Sequence, residues 1–178
     1  MNLIDELHRQ IDQAGLWEKN VILKRNDQLI MSGNIEKNLY YVVSGSLKVS
    51  IIDEDEEHIV RFGYQHNFIT ALNSFITSKP TEFYIQAIKK SKLKSISRHH
   101  YIQLLNQNDD LRKLWNAILQ QLVVQQIERE KDLLTSSPKE RYKRVLQRSP
   151  QLFQEIPDKH IASYLRMKPE TLSRLKKS

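Results

Sequence analysis

From Asp109 to Leu134 the chain contains no glycine and no proline, and the patterns on either side of that run differ. A run of this length without a breaker predicts one continuous helix, about 39 Å long at ~1.5 Å per residue. Asp109 and Asp110 stand at its start, where the helix dipole favours negative charge. Leu111, Trp115, Ile118 and Leu122 lie on one stripe, which Leu114, Val123 and Ile127 widen before Gln125, Gln126 and Arg129 interrupt it. An apolar stripe on so long a helix must bury against something, either the rest of its own chain or a second copy. The helix therefore divides the molecule. Whatever precedes it and whatever follows it are separate folding problems.

Upstream, residues 2 to about 19 read as a helix: Leu3, Ile4, Leu7, Ile11 and Ala14 recur at helical spacing, and Gly15 breaks the pattern. From Val21 to about Ile96 the period changes. Short runs rich in β-branched and aromatic residues alternate with turn signals at Gly33, Gly45 and Gly63. They are Val21–Lys24, Gln28–Ile30, Leu39–Val43, Ser46–Ile52, His58–Phe62, Tyr84–Ile88 and Leu93–Ile96. Short strands at this spacing predict an antiparallel sandwich or barrel, so the fold class is α+β. The acidic run Asp53–Glu57 reads as a solvated hairpin tip. The lysines between Lys89 and Lys94 read as the wet face of an edge strand.

Downstream, proline punctuates the chain at 138, 150, 157 and 169. Ser137 is a good N-cap for a helix beginning at Pro138. Ile161, Ala162 and Leu165 place an apolar stripe on a short helix opened by Pro157-Asp158. Arg166-Met167-Lys168 is a turn, and Pro169 opens a second short helix. On that helix Leu172 and Leu175 fall on one face, while Glu170, Ser173 and Arg174 fall together on another at i, i+3 and i+4. The charge is distributed to match. Residues 135–178 hold 11 Lys/Arg against 4 Asp/Glu, the whole net charge of +7, while residues 1–134 hold 17 of each. A basic module attached to a neutral one is the electrostatic footprint of nucleic-acid binding.

The segment Pro169-Glu-Thr-Leu-Ser-Arg174, preceded by Ile161-Ala-Ser-Tyr-Leu165, resembles the helix-turn-helix of the Crp/Fnr family of bacterial transcription regulators, and its Glu-x-x-Ser-Arg spacing is similar to the Fnr branch. Asn38-Leu-Tyr-Tyr-Val-Val-Ser-Gly-Ser-Leu-Lys-Val49 is similar to the turn of a cyclic-nucleotide-binding β-roll, with Gly45 at the turn glycine. The resemblance implies a jelly-roll-like (double-stranded β-helix) β-roll sensor domain over residues 1–108, a dimerisation helix over 109–134 and a helix-turn-helix domain over 135–178. It implies that Glu170, Ser173 and Arg174 read bases in half-sites containing TTGA. Lys168, Thr171, Lys176 and Lys177 would contact phosphate. Leu111, Trp115, Ile118 and Leu122 would pair with a second copy. The partners it implies are a two-fold symmetric double-stranded DNA site, the chain itself as a homodimer, RNA polymerase and a small-molecule effector.

The chain departs from the family at two places. The turn carries Arg166 where the family has glycine, and Lys168 stands where the family has an N-capping Ser or Thr. In the sensor, the Gly-Glu pair that holds a cyclic nucleotide's ribose falls on Thr70 and Ala71, and the Arg-Ser/Thr pair that clamps its phosphate falls on Thr81 and Glu82. Without that arginine the phosphate has no bidentate partner, and cyclic AMP binding in the usual way is not expected. An effector pocket, if the β-roll keeps one, would involve Phe68, Thr70, Ala71, Thr81, Glu82 and Phe83, with Phe75 and Tyr84 nearby.

The absence of cysteine excludes disulfides, thiolate metal sites and thiol catalysis by these residues. No phosphate-cradling glycine loop, Gly-x-Ser-x-Gly or His-Glu-x-x-His occurs, so no enzyme, metal or cofactor is expected. The six histidines show no His-x-His or His-x-x-x-His spacing. No apolar run reaches membrane-spanning length and the first residues lack a signal-peptide pattern, which predicts a cytoplasmic protein without membrane partners. The alternative to a regulator is a ligand-binding or protein-interaction β-roll whose DNA-binding end has degenerated.

Overall fold

A computed structural model describes residues 2–177. Met1 and Ser178, the outer limits of the ranges assigned above, lie outside the described residues. Helix α1 (Leu3–Gln13) is capped by Asn2, whose side chain accepts from the Ile4 amide at 3.1 Å. It ends sooner than the expected boundary near 19. Gly15 takes a positive φ of 64° and turns the chain, so that Lys19 already belongs to a strand.

Strands β1 (Lys19–Leu23), β2 (Gln28–Ile30), β3 (Asn38–Ser44), β4 (Ser46–Asp53), β5 (Glu56–Tyr64), β6 (Phe68–Ile69), β7 (Tyr84–Ala87) and β8 (Ser91–Ser97) build an antiparallel β-roll. One sheet has the order β1-β8-β3-β6 and the other β2-β7-β4-β5. Gly45 is the corner where the chain leaves β3 in the first sheet for β4 in the second. Its φ is 96°, and a Cβ there would lie 2.3 Å from Ser91 Oγ and 2.6 Å from the Lys90 carbonyl. Both the backbone angle and the close approach require glycine.

β4 and β5 form a hairpin through Glu54 and Asp55, both at positive φ, with Asp53 opposite Glu56. The tip of the acidic run is thus a two-residue turn, but its last carboxylate is engaged: Glu57 accepts from Lys48 Nζ at 2.5 Å and Ser50 Oγ at 2.7 Å. The edge-strand reading of the Lys89–Lys94 segment is corrected. β8 lies between β1 and β3, and Lys94 instead pairs with Asp12 of α1 at 2.7 Å. The lysines there reflect an outer sheet face that α1 only partly covers. The stretch between β5 and β7, which shows no clear period, supplies the two-residue β6 and a short helix α2 (Leu72–Thr77).

Alternation along β3 divides the core. Tyr40 and Val42 point between the sheets with Leu47, Ile85, Ala87 and Leu93, whereas Leu39 points outward into a second cluster with α1. That second cluster also takes Tyr101 and Leu105 of helix α3 (Arg98–Gln107) and Leu111 and Ile118 of helix α4 (Asp109–Leu134). Asn108 caps α4 by accepting from the Leu111 amide at 3.0 Å.

Of Leu111, Trp115, Ile118 and Leu122, the stripe expected at a dimer interface, this packing consumes the first and third and leaves Trp115 and Leu122 half-buried. Leu111 and Ile118 are only 2% and 4% exposed, and Trp115 and Leu122 pack on the same cluster. The first turns of the stripe are satisfied inside its own chain because α1 and α3 supply matching apolar faces. Farther along α4 apolar surface is left over: Val123, Val124 and Ile127 are 60%, 60% and 49% exposed.

After α4 come α5 (Pro138–Arg148), α6 (Leu152–Glu155), α7 (Asp158–Tyr164) and α8 (Pro169–Lys177). Their core of Val145, Leu152, Ile156, Ile161, Ala162, Leu165 and Leu172 is continuous with Ile59 and Phe62 of β5 and with Ile88. The basic C-terminal module therefore packs directly against the β-roll. No helix among the described residues is long and apolar enough to cross a membrane.

Candidate nucleic-acid interface

The C-terminal module is assembled around one guanidinium. Arg141 of α5 is buried and donates to four main-chain carbonyls: Thr135 at 2.5 Å and Ser136 at 3.1 Å at the end of α4, Leu165 at 2.9 Å and Arg166 at 3.1 Å after α7. These are carbonyls left over where two helices end, and a planar donor fork can satisfy several at once. Nothing in the spacing of the sequence singles Arg141 out from the other arginines of α5. Ser137 caps α5 as expected, accepting from the Glu140 amide at 3.3 Å.

The turn between α7 and α8 has the geometry that a glycine would suit. Arg166 sits at φ 51°, the left-handed region that costs a side-chain-bearing residue about 1–2 kcal/mol. Its side chain is exposed and its contribution to the turn is its carbonyl, which any residue can supply. Arg166→Gly is expected to raise stability by about 1 kcal/mol, read as a higher urea midpoint with an unchanged slope. A lower midpoint would mean that the arginine side chain, not the backbone, holds the turn.

α8 begins at Pro169, with the Lys168 carbonyl accepting from the Thr171 and Leu172 amides at 3.0 and 3.2 Å. Leu172 is fully buried beneath it. Glu170, Ser173 and Arg174 are all exposed, on the side opposite Leu172. Arg174 Nε makes one long contact to the Glu170 carbonyl at 3.4 Å, which leaves its two terminal nitrogens without a partner among the described residues. Lys168 and Lys177 are exposed and Thr171 is half-buried on the flank. Lys176 is engaged: its Nζ pairs with Asp158 of α7 at 2.8 Å.

Of the six positions expected at an effector pocket, Ala71, Thr81 and Phe83 lie together, and Thr70, Ala71 and Thr81 are engaged in internal contacts. Thr81 is buried and donates to Asn73 Oδ1 at 3.1 Å, Thr70 donates to the Asn38 carbonyl at 2.9 Å, and Ala71 is part of the inter-sheet core that Phe83 borders. Glu82 is exposed. Phe68 faces the opposite way, against Trp17 and Tyr41. Between the sheets Ala71 and Phe83 pack with Tyr40, Val42, Leu47, Ile85 and Leu93.

Two features at the junction of the modules had no signal in the sequence. The first is an ion-pair knot at the end of α4. Asp132 is completely buried and accepts from Arg144 Nε at 2.9 Å and from Arg148, while Glu128 accepts from Arg144 at 2.9 Å. The second is a cavity of about 400 Å³ bounded by β5, α4 and the α5–α7 segment. Arg129 on its wall stacks on the Tyr164 ring at 3.6 Å and donates to the Tyr164 carbonyl at 2.5 Å.

His160 of α7 lies in the same junction. Its pKa is pulled from 6.5 down to about 4, first by burial and then by Lys159, Lys48 and Arg25, with Glu57 opposing. The folded imidazole stays neutral where the unfolded one takes a proton. Stability present above about pH 6.5 is therefore lost as pH falls toward about 4. His160 keeps solvent contact, so screening limits the loss to about 1 kcal/mol. His8 is shifted in the same direction by burial, so the test compares the difference in denaturation midpoint between pH 7 and 4.5 for the wild type and His160→Gln. The difference should shrink in the variant, and an equal one would remove His160 from the account.

Residues 20–108, half of the chain, match the family model described as cyclic nucleotide-binding domain. Among solved structures, FixK2 from Bradyrhizobium japonicum is similar with a TM-score of 0.71 at 17% identity, covering 89% of this chain and 82% of that one. The c-di-GMP-responsive global regulator CLP of Xanthomonas campestris is similar with a TM-score of 0.69 at 17% identity, over 96% of this chain and 90% of that one. The sensor domain of the transcriptional regulator DNR from Pseudomonas aeruginosa covers 71% of this chain and 86% of its own, with a TM-score of 0.60 at 21% identity. No curated protein matches the chain in sequence.

Proposed function

The chain belongs to the cyclic nucleotide-binding domain family and has the fold of the Crp/Fnr regulators, and from that premise we propose that it is a homodimeric, sequence-specific DNA-binding transcription regulator. The observation that carries the reading is the exposed trio Glu170, Ser173 and Arg174 on α8, in a module that holds all of the chain's excess positive charge. A helix that presents a free guanidinium beside a carboxylate can pair the first with a guanine and the second with the amino group of a cytosine or adenine. Lys168 and Lys177 flank that face and supply the sequence-independent attraction to phosphate. The DNA site is proposed to be two-fold symmetric with TTGA-containing half-sites.

The cyclic nucleotide itself is not the proposed effector. Thr70, Ala71, Thr81 and Glu82 offer no arginine for a cyclic phosphate, and the buried ones are already committed to internal contacts.

Binding selection from random duplex DNA at physiological salt tests the reading. A two-fold consensus supports it. Recovery of only salt-sensitive, unselective binding would favour the alternative, an interaction module with a degenerate DNA-binding end.

The second copy is proposed to dock on Val123, Val124 and Ile127, the apolar face of α4 that its own chain leaves exposed. Val124→Glu combined with Ile127→Glu should convert a dimer to a monomer in sedimentation, with unchanged far-ultraviolet dichroism. A variant that still sediments as a dimer would place the interface elsewhere.

A further inference from the structure

We infer that the cavity between the β-roll, α4 and the C-terminal module is a binding site for a compact organic anion, a carboxylate or phosphate carried on a flat or apolar body. The inference does not depend on DNA binding. The cavity is separate from the positions at which a cyclic nucleotide would be held: of the six residues weighed for that pocket only Phe68 reaches its wall.

The charge of the lining is one-sided. Among the described residues that form it there are three arginines, Arg61, Arg129 and Arg148, and no aspartate or glutamate. Arg148 is neutralised by Asp132 from behind. The other two make no ion pair among the described residues. Arg61 of β5 is half-buried and makes no hydrogen bond or ion pair among the described residues, and burial lowers its pKa. Arg129 is only 7% exposed, and its Nη1 is buried with no partner. A guanidinium nitrogen buried without a partner is costly, and beside a second, half-buried arginine that has no ion pair it marks a place that an anion would complete.

The rest of the wall describes the ligand's body. Six amide side chains supply donors and acceptors, and Phe62, Tyr64, Phe68 and Tyr164 supply flat apolar surface. At about 400 Å³ the space suits a small metabolite rather than a bare inorganic ion.

The position gives occupancy a consequence. Arg61 belongs to the β-roll, Arg129 to the long helix, and Arg129 is itself stacked on Tyr164 of α7. An anion held by both arginines ties the C-terminal module to the roll, and its departure removes that tie. Both states act on the same contact that sets where α8 points.

The test measures the melting temperature of the full chain in sodium chloride and, at matched ionic strength, with inorganic phosphate, citrate or adenosine monophosphate. The expected result is a saturable rise of several degrees with citrate or adenosine monophosphate, and a smaller one with inorganic phosphate. A larger response to citrate identifies the charge as carboxylate, and a larger response to the nucleotide identifies it as phosphate. Arg61→Met should abolish the rise. In chloride alone it should be no less stable than the wild type, because it removes an unpaired, half-buried charge and keeps the volume. Arg61→Gln repeats the comparison with a polar side chain. No saturable rise with any of the three probes overturns the proposal, as does an equal rise in the two Arg61 variants.

Discussion

Asp132→Ala should lower the unfolding free energy by about 3–5 kcal/mol, the largest stability effect expected of any single substitution in this chain. The carboxylate has no exposure to solvent and receives Arg144 Nε at 2.9 Å together with two donors of Arg148. Removing it leaves two guanidinium groups beside each other, and among the described residues Glu128 alone remains paired with one of them. Arg144 is about a third exposed and can turn into water, which places the expected loss nearer 3 kcal/mol. Asp132→Asn keeps the volume and some of the hydrogen bonds but not the charge. If the charge matters, the asparagine variant should fall between wild type and alanine in chemical denaturation. Equal losses for the two would mean that geometry alone is at stake. A loss under 1 kcal/mol would mean that the arginines are satisfied elsewhere.

The second large effect is on binding. Arg174→Ala should weaken the selected DNA site by about 1–3 kcal/mol per half-site, so roughly fivefold to 150-fold for each subunit, and should relax the preference at one base pair. Lys168→Gln should behave differently. It should weaken all sequences alike and lower the slope of log affinity against log salt by about 0.9 for each phosphate that is no longer neutralised. Lys176 should contribute less than its position suggests, since Asp158 already holds its ammonium. The discriminating measurement is affinity for the consensus and for each single-base variant at two salt concentrations. If Arg174→Ala weakens every sequence equally, the guanidinium contacts phosphate and the base-reading assignment is wrong.

Period and punctuation were enough to place α4, the capping of α5 by Ser137, the pair of short helices around Arg166 and most of the strands. These depend on local rules: which residues break a helix, which side chains cap one, which spacing puts apolar groups on one face. Where local signals were short the reading faltered. The two residues of β6 cannot carry a period, and α1 stopped at Gln13, where the apolar spacing ends and Gly15 redirects the chain, short of the expected boundary near 19. The lysines of β8 looked like an edge because charge on one face is the same whether a strand has one neighbour or two.

The sequence by itself determined the long helix α4, the charge asymmetry and the face of α8 that carries Glu170, Ser173 and Arg174. Each of these follows from residues within one or two turns of each other, and so is legible along the chain. Tertiary structure alone decided which stripe of α4 its own chain consumes, which arginine gathers the carbonyls of two helix ends, where Asp132 meets Arg144 and Arg148, and that Arg61 and Arg129 share one cavity. Those outcomes join residues far apart in sequence, such as Arg61 and Arg129. Their partners are chosen by how the sheets and helices pack, and burial, not residue type, makes an ordinary charge consequential.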